Sequence, residues 1–207
     1  MKKRESIALK NRTFCILRSC SVAGIISLQL IILLIGTVRA ESENSLWQAL
    51  SQGGHIALLR HAIAPGTGDP ANFRLHDCST QRNLSEVGRT QAENIGHQLR
   101  EQGIKDARVY SSQWCRCIET AQLLGFENVE ELPLLNSFFR EFQRQEPQTK
   151  QLGEWLARQT LDTPTILVTH QVNITALTGI FPQSGELIIA KVTGGKIATI
   201  GTVKTPY

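Results

Sequence analysis

Four residues of this chain have the chemistry to grip or attack an anion, and their positions are informative. Arg60-His61 closes a run of apolar residues, Ile56-Ala57-Leu58-Leu59. His170 closes a second run, Thr165-Ile166-Leu167-Val168-Thr169. Arg116 lies between them, inside Ser111-Ser112-Gln113-Trp114-Cys115-Arg116-Cys117-Ile118-Glu119-Thr120-Ala121. A neutral imidazole, with an ordinary pKa of about 6.5, is a competent nucleophile near neutral pH. A guanidinium offers a planar fork of donors that suits bidentate contact with an oxyanion. Taken singly these residues say little. An Arg-His pair arises by chance, Arg116 reads as a solvated helix arginine, and His170 reads as a strand-end histidine bonded to backbone.

The surrounding sequence predicts elements that would bring them together. Residues 56–59 and 165–169 read as strands buried on both faces. Ser85 is placed to cap a helix whose apolar face carries Val87, Gln91/Ala92, Ile95 and Leu99, with Gly103 closing it. Ala107–Tyr110 reads as a short strand, residues 113–124 and 147–160 as helices, and 172–179 as another helix. Glu186–Val192 and Lys196–Val203, joined through Gly194-Gly195, read as a hairpin. Near the start, Ser45 is placed to cap a short helix carrying Leu46, Trp47, Ala49 and Leu50, ended by Gly53-Gly54. Strands alternating with helices predict an α/β architecture with a largely parallel sheet. Ligands bind such sheets at the carboxyl ends of strands, where both histidines fall. Residues 62–83, rich in Pro, Gly, Asp and Asn, form a long loop of the kind that carries function.

Four segments, in order, resemble the histidine phosphatase superfamily and its phosphoglycerate-mutase-like fold. They are Leu58-Leu59-Arg60-His61-Ala62; Leu84 to Ala92, as Leu-Ser-x-x-Gly-x-x-Gln-Ala; Ser112, Arg116, Thr120 and Ala121, as Ser-x-x-x-Arg-x-x-x-Thr-Ala; and the strand ending at His170. The resemblance covers about Ile56 to Leu177. It implies a three-layer α/β/α sandwich with a largely parallel central sheet. It also implies that His61 attacks phosphorus and carries the phosphoryl group transiently, with Arg60, Arg116 and His170 around the phosphoryl oxygens. The expected activity is phosphomonoester hydrolysis. No cofactor and no metal is expected, because the clamp is made of Arg and His. The spacing Cys115-x-Cys117 is too short for a usual zinc ligand pair.

The chain departs from the family at the proton donor. Mutase-like members carry Glu where Ser137 follows Leu135-Asn136, and acid-phosphatase members carry Asp where Gln171 follows His170. Asp69, after Gly66-Thr67-Gly68, is the first candidate for the acid, and Glu141 the runner-up. The missing acid keeps two rivals open: a catalytically silent phosphate-binding or interaction domain, and a phosphomutase. His55, His76 and His97 lack motif support, and Arg82 and Asn83 read as loop-fixing residues.

Of the 207 residues, 22 are Lys or Arg and 18 are Asp or Glu, for a formal charge of +4. Residues 1–40 contain seven of the cations and one anion, which leaves 15 positive and 17 negative side chains in 41–207. The exported part is therefore slightly acidic, and no basic stripe with interleaved aromatics marks a nucleic-acid surface. Basic residues 2–18, an apolar stretch over 20–38 and Val38-Arg39-Ala40 read as a secretory signal cut after Ala40. The stretch is nearly as long as a bilayer span, so an uncleaved membrane anchor is the alternative. Either way residues 41–207 form the histidine phosphatase domain, periplasmic or extracellular, acting on a small-molecule or glycan phosphomonoester. Of its cysteines Cys78, Cys115 and Cys117, an oxidising compartment allows Cys78 to pair with either of the others.

Overall fold

In a computed structural model of the chain, which describes residues 43–205, the apolar run 56–59 forms the centre of strand β1 (His55–Arg60). The second run forms β4 (Thr165–Thr169). They pair in parallel, with Ile56 opposite Thr165 and Arg60 opposite Thr169. The other strands are β2 (Arg108–Ser111), β3 (Val129–Glu131), β5 (Leu187–Thr193) and β6 (Lys196–Val203). The sheet order is β3-β2-β4-β1-β5-β6. The first four are mutually parallel, and the β5–β6 hairpin closes the far edge antiparallel to β1. The hairpin turns at Gly194-Gly195, both in the left-handed region (φ 56° and 79°) that favours glycine.

Alternation along the strands sorts side chains onto two cores. Ala57, Leu59, Ile166 and Val168 pack with Trp47, Leu50, Ile95, Leu99, Ala121 and Leu124. These come from α1 (residues 43–51), α2 (Glu86–Glu101) and α3 (Cys115–Leu123) and the chain just after it. Ile56, Leu58 and Leu167 pack instead with Leu152, Leu156 and Ile174, from α4 (Gln145–Ala157) and α5 (Gln171–Thr178). The result is the expected α/β/α sandwich. Each fully buried Leu or Ile contributes about 1.5–3 kcal/mol of transfer free energy, so burial on both faces holds the two strands that lead to the histidines.

Some expectations need correction. The first helix already runs through Glu43, so Ser45 lies inside it and is not its cap. Val87 is 57% exposed, whereas Gln91, Ala92, Ile95 and Leu99 are buried as expected. Strand β3 had no sequence signal: its three residues Val-Glu-Glu are mostly exposed and do not alternate. The signal or anchor segment, its cut site and the domain boundary at residue 40 lie outside the described residues. Among the described residues no helix is long and apolar enough to cross a membrane.

Candidate active site

β1 and β4 deliver the two histidines side by side. The His61 N–H donates to Thr169 O (3.0 Å), which extends the ladder one step past each strand. The imidazole centroids of His61 and His170 are 5.5 Å apart, edge to face. Both side chains are almost wholly buried. His61 Nδ1 lies 2.8 Å from Ala62 O. A carbonyl can only accept, so Nδ1 carries the proton and Nε2 keeps its lone pair. His170 Nε2 lies 2.8 Å from Ser112 Oγ, and Ser112 Oγ in turn donates to Asn136 Oδ1 (3.2 Å). Arg116 Nη2 approaches His170 Nδ1 at 3.5 Å. This chain of donors makes His170 the neutral Nε2–H tautomer. Burial, then the Arg116 charge, hold both imidazole pKa values well below the usual 6.5.

The motif spacings now have physical reasons. Thr120 Oγ1 accepts from Ala62 N (3.0 Å) and donates to Arg116 O (2.6 Å), tying the nucleophile's neighbour to the arginine helix. Gln91 Oε1 accepts from Ile63 N (3.1 Å), while its Nε2 donates to Ser184 O (3.0 Å). Gly88 is glycine because a Cβ there would stand 2.1 Å from Ile63 O. The Ser85 hydroxyl caps α2 by accepting from Gly88 N (3.1 Å). Four motif residues thus serve to fix the backbone that follows His61.

Arg116 sits in the first turn of α3, with its side chain 3% exposed. Asp69 holds it: Nη1 and Nη2 donate to the two carboxylate oxygens at 2.7 and 3.2 Å. The same carboxylate accepts from Trp114 Nε1 (3.0 Å) and Arg82 N (3.1 Å). Burial pushes the Asp69 pKa up, but the Arg116 hydrogen bond and charge and the other donors outweigh it, and the net shift is downward. The expected proton donor is therefore found as an anion, accepting from every side, while a general acid must carry a proton. Glu141 lines the cavity but pairs with Arg144 at 2.7 Å and is half-exposed. Ser137, standing where mutase-like members carry Glu, is buried in the wall and accepts from Phe139 N (3.2 Å).

Arg60 donates from Nη1 to Pro182 O (2.8 Å). Its Nε, like Arg116 Nε, is a buried donor with no protein acceptor. Such groups are costly unless something accepts from them, and an oxyanion between the two arginines would. Arg82, read from sequence as a loop-fixing residue, does that work, donating to Gly68 O (2.8 Å) and to Ala64 O. It also faces the same cavity, and burial followed by the Arg116 charge lowers its pKa to about 10. The cavity has a volume of about 650 Å³ and is lined by four arginines, two carboxylates and both histidines. A second cavity of about 620 Å³, between α4 and the hairpin turn, contains none of the predicted site residues.

The loop and α3 are also joined covalently. Cys78 pairs with Cys115, one residue before Arg116, which leaves Cys117 as a buried free thiol. Burial pushes the Cys117 pKa up to about 12, so it is inert as a nucleophile. Cys115, being oxidised, is no metal ligand.

Residues 56–143 match the family described as histidine phosphatase superfamily (branch 1). Among solved structures, the product of open reading frame Rv3214 from Mycobacterium tuberculosis is similar, with a TM-score of 0.53 and 18% identity over 70% of this chain and 94% of that one. A candidate phosphohistidine phosphatase SixA from Agrobacterium tumefaciens is similar too, with a TM-score of 0.50 and 20% identity over 72% and 97%. Among curated proteins no sequence matches at a significant level. Sequence match and fold agree: residues 56–143 are similar to the histidine phosphatase superfamily, and the fold is phosphoglycerate-mutase-like.

Proposed function

We propose that the protein is a phosphomonoester hydrolase that works through a phosphohistidine on His61. The observation that carries the reading is the pair of imidazoles 5.5 Å apart beside two buried, unpartnered arginine Nε donors. In the first step the His61 Nε2 lone pair bonds to phosphorus and the P–O ester bond breaks in line, its electron pair leaving on the alcohol or phenol oxygen, which takes a proton from solvent water. Arg60 and Arg116 take the charge that spreads over the phosphoryl oxygens, and His170 helps to hold Arg116 by accepting at Nδ1. In the second step a water oxygen bonds to phosphorus, the P–N bond breaks, and Nε2 recovers its lone pair. One of the water's protons stays on the departing phosphate and the other passes to solvent. Asp69 acts in both steps as a positioning residue, holding the Arg116 guanidinium through both Nη atoms so that its free Nε is left for the phosphoryl group.

The clamp consists of side chains alone, so activity is expected without metal. The purified protein with p-nitrophenyl phosphate and EDTA tests this, alongside His61→Ala. Turnover that survives EDTA and disappears in the variant is the expected result. Phosphate binding without turnover of any ester would leave the silent-domain reading, which Ser137 and the ionised Asp69 favour. The N-terminal pattern of basic then apolar residues supports action outside the cytoplasm. The Cys78–Cys115 disulfide supports it independently, because such bonds persist in oxidising compartments.

A further inference from the structure

The phosphate clamp occupies only the floor of a cavity of about 650 Å³, a size suited to a drug-sized ligand. What forms its mouth is unusual for exposed surface. Five large hydrophobic side chains are exposed among the described residues: Val87, Phe139, Phe142, Phe181 and Ile200. The three phenylalanines gather at this one opening. Phe139 and Phe181 line the cavity, 41% and 67% exposed, and Phe142 packs edge to face on Phe139 at 6.2 Å. Deeper in the wall, Phe73 stacks on Trp114 at 5.0 Å. Between Phe139 and Glu141, Arg140 holds φ at +73°, a conformation that non-glycine residues adopt rarely and at a cost. Solvent-facing aromatic rings that continue from a binding cavity mark the part of it that receives an apolar group.

A second, independent observation concerns the leaving oxygen. Asp69 and Glu141 are the only carboxylates in the cavity wall among the described residues. Asp69 is saturated by Arg116, Trp114 and Arg82, and Glu141 is paired with Arg144. An alkoxide cannot leave readily without a proton, and an acid placed to give one contributes about 10²–10⁴-fold. A phenolic oxygen, with a pKa of about 10, leaves as the anion.

We propose that the substrates of this site are aryl phosphomonoesters, with phosphate on a phenolic oxygen and the ring held against Phe139 and Phe181. The inference rests on the phosphohistidine reading. As His61 Nε2 bonds to phosphorus, the P–O(aryl) bond breaks and its electron pair leaves on the phenolate, which takes a proton from solvent water after departure.

The test compares kcat/KM for phenyl phosphate, a phosphotyrosyl peptide, 2-phenylethyl phosphate and glycerol phosphate on the purified protein. The aryl esters should exceed both alkyl esters by roughly 100-fold or more, the contribution of the absent acid. Preference for the peptide or for free phenyl phosphate identifies the source of the ring, and either supports the proposal. Phe139 and Phe181 are exposed, so Phe139→Ala with Phe181→Ala should fold. The pair should raise KM for phenyl phosphate roughly 3- to 10-fold without changing the inhibition constant of inorganic phosphate, which reports on the clamp alone. Glycerol phosphate cleaved as fast as phenyl phosphate, or an unchanged KM in the double variant, overturns the aryl assignment while leaving the phosphohistidine reading intact. No turnover of any ester, with no label on His61, overturns both.

Discussion

Replacing Asp69 by Asn removes the negative charge that faces Arg116 and leaves the shape almost unchanged. Arg116 is 3% exposed and Asp69 15%, and two short bonds join them. Breaking a buried pair by neutralising one member typically costs about 3–5 kcal/mol, because the other charge stays buried. The Asn side-chain oxygen still accepts one hydrogen bond, which brings the expected loss to about 2–3 kcal/mol. For a domain of this size that is a fall of roughly 5–10 °C in Tm, read by calorimetry. The pH dependence supplies a signature. The Asp69 pKa is lowered in the folded state, so its stabilisation is full above the unfolded value of about 3.9 and is lost as pH falls towards the folded one. Asp69→Asn should erase that part of the acid transition. In kinetics the variant should lose kcat/KM by the same factor on p-nitrophenyl phosphate and on an alkyl phosphate, since it acts through Arg116. Loss confined to the alkyl ester would make Asp69 the proton donor, and unchanged stability would refute the buried-pair reasoning.

Both imidazoles have pKa values below 6.5 in the folded protein, so stability should decline as pH falls beneath about 6.5, by up to about 1.4 kcal/mol per pH unit for each group; NMR titration of either ring at or above 6.5 would contradict this. Ser112→Ala leaves the His170 Nε2–H without its acceptor and should cost about 1–3 kcal/mol in denaturant unfolding. It should also lower kcat/KM, with Ser112→Thr restoring both; an unaffected kcat/KM would deny Ser112 a positioning role. The Cys78–Cys115 bond closes a loop with a sequence separation of 37, for which the chain-entropy estimate is about 4 kcal/mol. Reduction or Cys78→Ser should lower the urea midpoint accordingly, and an unchanged midpoint would show that the staple carries no stability.

The parts of the site legible in the sequence were those set by local pattern. The runs 56–59 and 166–168 are apolar on both faces because their strands lie inside the sandwich, and the two strands pair in parallel, so the residues just past them meet at the carboxyl end of the sheet. Ser85 announced the start of α2 by cap chemistry. What stayed hidden depends on chain folding back over long separations. Nothing near Asp69 reveals that Arg116, 47 positions away, will take both its oxygens, or that Trp114 will donate to the same carboxylate. The choice of Cys115 over Cys117 follows from the helix that aims one thiol at the loop and the other into the core. Arg82 looked like a loop residue and is one, yet the loop it fixes forms a wall of the cavity. Strand β3 is held by pairing with β2, register Val109 to Val129, and not by any pattern of its own.

The most direct measurement is mass spectrometry of the protein quenched in alkali during turnover of p-nitrophenyl phosphate, where phosphohistidine is stable and phosphoserine is not. A single phosphoryl group on His61, absent from His61→Ala, is the predicted result. Steady hydrolysis with His61 unmodified at every time point, or a phosphoryl group on His170 in its place, would contradict it.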